Sequence, residues 1–186
     1  MIKKFAAAFA ALALTAGAAH ATAVAVNSSE HATDTSVSGT VTAAAAGAQL
    51  LTFDLNGYAS LDGQNFYEDD FSLAVNGSTI FVGTFNLGGG GADAVYSNLN
   101  GATYSGDTHT LSFIVPVALV AGANTFTFSY ASLLAADGYA GFQDTGDEGW
   151  GVSKVSVVPE PGSLALMLAG LGIVGGLARR RAARQA

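Results

Sequence analysis

The chain contains no cysteine. That excludes a disulfide framework, thiolate metal sites and a cysteine nucleophile. With 186 residues it is long enough for one domain of ordinary size, which can bury a core without covalent staples. Basic residues are nearly missing from the interior. Lys3 and Lys4 open the chain, Arg179, Arg180, Arg181 and Arg184 close it, and only Lys154 lies between. Thirteen acids face that single base between Thr22 and Val158, a net of −12 against −7 for the whole chain. Such a surface repels phosphates and anionic lipid heads, so nucleic acid is excluded as a partner. Enzyme signatures are missing too. There is no G-x-S-x-G and no H-E-x-x-H. No activity is expected. The alternative is a carboxylate pair for glycoside cleavage, which only spacing in three dimensions would define.

What is present divides the chain into parts. Met1 to Ala21 has a charged start, the apolar run "FAAAFAALALTAGA" and Ala19-His20-Ala21. This is the pattern of a secretory signal peptide, with Ala19 and Ala21 as the cleavage signal and Thr22 as the first mature residue. At the other end, Leu164 to Ala178 is a run of 15 apolar or small residues. Gly162 and Ser163 bring it to the lower limit of about 17 for a membrane-spanning helix, predicted over 163–178. The basic tail 179–184 would stay on the cytoplasmic side, leaving the domain outside the inner membrane. The prolines of Pro159-Glu160-Pro161 forbid helix before Gly162 and present an extended segment at the membrane face.

Pro159-Glu160-Pro161, an apolar run and then Arg179, Arg180 and Arg181 resemble the PEP-CTERM sorting signal, here over residues 158–184. The resemblance implies export through the secretion machinery and a transient stay in the inner membrane. It also implies processing by an exosortase-type enzyme and delivery to the cell envelope or outside, commonly alongside exopolysaccharide. A permanent tail anchor is the other reading of the same residues.

Between the ends the hydrophobic period is two. Leu51, Phe53 and Leu55 alternate with polar residues, as do Phe71, Leu73 and Val75, then Leu111, Phe113 and Val115, then Phe126, Phe128 and Tyr130. Phe81, Phe85 and Leu87 share a face, and no stretch of 49–157 carries the 3.6 period of a helix. Asn76-Gly77 predicts a tight hairpin. The expected fold is all-β, an antiparallel β-sandwich of jelly-roll type over 49–157. Residues 22–48, rich in Ala, Thr and Ser, read as a low-complexity lead-in or an edge strand. Val75, Asn76 and Gly77 with Leu119, Gly122 and Asn124 also resemble galactose-binding-like jelly rolls, which implies a sugar-binding module.

Two acidic clusters, Glu68-Asp69-Asp70 and Asp144, Asp147 and Glu148, each precede a strand. Loop carboxylates supply the oxygens that calcium requires, so a structural Ca²⁺ is one expectation and solvated loops are the other. "GGGGADAVY" at 88–96 has the form of one calcium-binding nonapeptide, but a single copy has no neighbour to stack on and reads as a loop. Trp150, the one tryptophan, lies between two glycines. It is either a core residue or a platform for sugar stacking. The functional expectation is an exported, non-enzymatic envelope or matrix protein with a structural or adhesive role. The alternatives are a carbohydrate-binding module with a calcium-supported fold, or a glycoside hydrolase.

Overall fold

The computed structural model describes residues 21–132 and 144–159, together with 170, 172 and 173. The strands in chain order are β1 (Thr22–Ala23), β2 (His31–Ala32), β3 (Thr35–Ala43), β4 (Gly47–Gly57), β5 (Leu61–Asp62), β6 (Asp69–Val75), β7 (Ser78–Thr84), β8 (Gly88–Gly90), β9 (Ala94–Asn98), β10 (Thr103–Gly106), β11 (Thr110–Leu119), β12 (Gly122–Ser132) and β13 (Gly149–Pro159). One sheet has the order β1-β13-β4-β11-β10, with β2 also on β13, and the other has β3-β12-β6-β7-β9. All these pairings are antiparallel, and only the short β5–β8 contact is parallel. The central pairs β4–β13 and β6–β12 join early strands to late ones, as a jelly roll requires. The fold is an antiparallel β-sandwich.

The alternating residues place the core. Leu51, Phe53, Leu55, Phe71, Leu73, Phe113, Phe126 and Phe128 are buried between the sheets. Phe53 stacks on Phe113 with ring centroids 4.8 Å apart and meets Phe128 edge-on at 5.0 Å. Such aromatic pairs add about 0.5–1.5 kcal/mol each beyond the area they bury.

Residues 22–48 are built into the sandwich. β3 pairs with β12 from Tyr130↔Thr35 to Gly122↔Ala43, and Val24, Val37 and Val41 are buried. A domain starting at residue 49 would cut through β4. Small and β-branched residues in alternation suit a half-buried edge strand better than their low complexity suggests. The expected hairpin is present: Val75 pairs with Ser78, and Asn76 and Gly77 have φ of 51° and 82°. Positive φ at both central positions is what a type I′ turn needs.

The signal peptide up to residue 20, with Ala19, lies outside the described residues, as do Glu160, Pro161, Arg179, Arg180, Arg181 and most of the predicted span. No helix among the described residues is long and apolar enough to cross a membrane. Pro159 is described, and it ends β13 opposite Gln49.

Candidate functional site at the acidic pole

The strand directions gather the carboxylates. β4 ends, β6 starts and β13 starts at the same pole of the sandwich, and the turn holding Asp107 lies there too. Glu68, Asp69 and Asp70 enter β6, while Asp144, Asp147 and Glu148 lead into β13. The two clusters thus belong to opposite sheets, and the segment around β5 bridges them. Ser60 donates its backbone N–H to the Asp147 carbonyl at 2.6 Å and its hydroxyl to Asp147 Oδ1 at 2.9 Å. The backbone N–H of Asp62 donates to Asp69 Oδ2 at 3.0 Å.

A structural calcium was one expectation for these clusters. Among the described residues, no three His, Cys, Asp or Glu side chains come together in a way that could hold a metal. The chain's own donors occupy several of the carboxylates. Thr33 donates to buried Glu148 Oε2 at 2.9 Å, the Gly146 N–H to Asp144 Oδ1 at 2.8 Å, and Asn65 to Asp62 Oδ1 at 2.6 Å. Burial, opposed by the Thr33 hydrogen bond, leaves the Glu148 carboxyl above its ordinary pKa, and nearby Asp147, Asp62 and Asp34 add to the rise. The glycine-rich stretch forms β8 alongside β5, and Asp93 accepts from the Asn86 N–H at 2.9 Å.

Trp150 is core. Its side chain is fully buried, and its indole N–H donates to the Ala32 carbonyl at 2.8 Å. The ring lies 5.7 Å from Tyr130 and 5.8 Å from His31 between centroids. A ring with no exposed face offers no platform, so the sugar-stacking reading of Trp150 is overturned. The flanking glycines serve a different end: a Cβ at Gly151 would lie 3.0 Å from both the Tyr58 ring and the Ser29 carbonyl. Tyr130 is equally enclosed, its hydroxyl has no hydrogen-bond partner among the described residues, and burial with Asp69 and Asp70 nearby pushes its pKa up.

The exposed aromatics are elsewhere at this pole. Phe66 is 65% exposed, and Tyr67 and Tyr96 are about half exposed. Phe66 and Tyr67 occupy the loop from β5 to β6, and Tyr96 projects from β9. The Tyr96 hydroxyl donates to Glu68 Oε1 and is also hydrogen-bonded by Gln64, which ties β9 to that loop. Partial burial and Glu68 push the Tyr96 phenol up to about 12. The Tyr67 N–H donates to Asn65 Oδ1 at 2.6 Å. Burial first, and then Glu68, raise the Asp70 carboxyl to about 6. Sequence reasoning singled out Trp150 as the ring for sugar and passed over Phe66 and Tyr96. Two adjacent aromatics between amides and acids in "QNFYE" were the available signal.

Residues 157–182 match the model of the PEP-CTERM protein-sorting motif. The chain carries that motif. It is therefore an exported protein. No curated protein matches the chain. Among solved structures it is similar to a family 35 carbohydrate binding module from Clostridium thermocellum, at 16% identity over 68% of this chain and 72% of that one, TM-score 0.34. A second family 35 module, from an environmental isolate, gives 19% identity over 72% and 76%, TM-score 0.34. A cycloisomaltooligosaccharide glucanotransferase from Paenibacillus sp. gives 14% identity over 76% of this chain and 17% of its own, TM-score 0.30. The architecture itself stands on the strand pairing described above.

Proposed function

We propose that this exported protein is held briefly in the inner membrane by its tail and released by an exosortase-type enzyme. It then acts in the cell envelope or matrix without catalysis, as a binding protein for extracellular polysaccharide. The observation that carries the sugar reading is the group of exposed rings, Phe66, Tyr67 and Tyr96, set among Gln64, Asn65 and Glu68. Aromatic faces bury the apolar faces of sugar rings, while amides and carboxylates take the hydroxyls. The bond from Tyr96 to Glu68 holds one ring in place before any ligand arrives, which lowers the ordering loss on binding. This reading calls on the rings, amides and Glu68 and on no metal.

A glycan array with the purified mature protein tests the binding. Phe66→Ala with Tyr67→Ala should weaken retention about tenfold, about 1.4 kcal/mol, with the melting temperature nearly unchanged. Absence of binding to every glycan, or binding indifferent to these changes, removes the reading. Processing is tested separately by mass spectrometry of the surface-localised protein. The wild type should lack Leu164–Ala178, whereas Glu160→Ala should be exported but accumulate at full length in the inner membrane.

A further inference from the structure

The two ends of the sandwich differ in charge. Among the described carboxylates only Asp54 lies away from the acidic pole, midway along β4, where Lys154 Nζ meets it at 2.8 Å. The opposite pole is made of the β3–β4 turn, the Asn76-Gly77 hairpin, the β9–β10 turn, the β11–β12 turn and the end of β13. The segments 43–49, 75–79, 98–103 and 117–124 that build it contain no Asp, Glu, Lys or Arg. Apolar side chains stand open there: Leu99 is 72% exposed and Val120 53%, next to the exposed run Ala44–Ala46. This is also the pole from which the chain leaves. Val157, Val158 and Pro159 of the sorting motif are still paired in β13, opposite Leu51, Leu50 and Gln49. Only residues 160–163 separate that strand from the apolar run beginning at Leu164. Four residues reach about 14 Å at most.

We propose that the uncharged pole is a membrane-docking surface, which seats the sandwich on the lipid bilayer while the tail anchors it. The proposal rests on the membrane-held intermediate of the preceding section. A tether this short brings one pole against the lipid headgroups, and carboxylates there would be repelled by anionic lipids. Among the described residues that pole has none, and the nearest carboxylate in the sequence is Glu160 within the tether itself. β13 runs 11 residues from pole to pole, about 35 Å of extended strand. The acidic pole then stands several Debye lengths of about 8 Å from the membrane, where its charge is screened from the lipid. Exposed Leu99, Val120 and alanines on the near side lose water against the interface. The acidic pole with its aromatic loop faces outward.

The absence of native cysteine makes the test direct. The chain from Thr22 onward, with its tail retained, is reconstituted into vesicles of phosphatidylethanolamine and phosphatidylglycerol carrying a headgroup-linked nitroxide quencher. A fluorophore is placed on a single cysteine at Leu99→Cys or Val120→Cys, and in parallel at Thr108→Cys or Thr145→Cys on the acidic pole. Quenching at the first pair should exceed that at the second at least about threefold, because a headgroup nitroxide quenches only at short range and the poles lie about 35 Å apart along β13. Equal quenching overturns the proposal. In a chain labelled at Ala45→Cys, adding Leu99→Glu and Val120→Glu should cut quenching by about half. Unchanged quenching would mean that the tether alone brings the pole near, and would overturn docking. Flotation of the same vesicles reads the anchor itself. A chain that fails to float removes the membrane-held intermediate and this proposal together, whereas a chain that floats with equal quenching removes only the proposal.

Discussion

Asp70 enters β6 half-buried, with one carboxylate oxygen enclosed without a hydrogen-bond partner and Glu68 beside it. Its pKa of about 6 lies above the ordinary carboxylate value of 3.8. The folded state therefore holds this proton more tightly than the unfolded chain does. The associated stability is fully present below about pH 4 and is lost as pH rises through about 6. Asp70→Asn removes the charge and keeps a donor for Glu68. It should raise stability at pH 7 by about 1 kcal/mol, since solvent screening at this partly exposed site takes much of the nominal shift. It should also flatten the stability profile between about pH 4 and 6, which urea titrations across that range would read. Trp150→Ala acts by packing alone. Loss of a buried aromatic costs about 3–5 kcal/mol. The melting temperature should fall by about 10 °C or more, and any sugar binding that survives in the folded fraction should keep its affinity.

At the scale of elements, the β6–β7 hairpin and the start of β12 form one unit. Asn76 donates to Asn124 Oδ1 at 3.0 Å and accepts from the Thr125 N–H at 2.9 Å. Asn124, fully buried, also accepts from the Val120 N–H and donates to the carbonyls of Val120 and Gly122. The two short motifs that suggested a sugar-module fold thus meet in space and hold two turns together. Gly77 in that hairpin has φ of 82°, and nothing lies within 4 Å of where its Cβ would be. Gly77→Ala should therefore cost only the backbone penalty, about 1 kcal/mol, seen as a melting-point drop of about 3–4 °C. β13 has its own irregularity. Its register shifts between Ser153 and Ser156, and Lys154 has φ of 52°. The bulge brings Lys154 Nζ onto Asp54 Oδ2, while Ser112 donates to Asp54 Oδ1 at 2.6 Å. Burial would raise the Asp54 pKa, but these two partners outweigh it and hold the carboxyl below its ordinary range.

For the whole molecule, the uneven placement of charge has a measurable consequence. Carboxylates crowded at one pole repel one another, and salt screens that repulsion. Raising sodium chloride from about 20 mM to about 300 mM should lift the melting temperature of the mature protein by a few degrees. A melting temperature that falls or stays flat would show that the hydrogen bonds from Thr33, Ser60 and Asn65 already offset the repulsion.

The sequence alone was enough for the sorting tail, the all-β class, the Asn76-Gly77 hairpin and the inward faces of the long strands. Each of these is local: a motif, a period of two, or a turn that needs positive φ. The fate of Trp150 was not local. Its glycine neighbours suit an open ring and a buried one equally, and only the packing of Tyr130 and His31 around it made it core. The acidic clusters likewise read as cation ligands in one dimension. Their partners, Thr33 and Ser60, are 115 and 87 residues away in the chain. Strand β3, from a segment of plain composition, owes its place to pairing with β12. The separation of charge between the poles is decided in the same way, because strand direction determines at which end each turn, and each carboxylate, comes to lie.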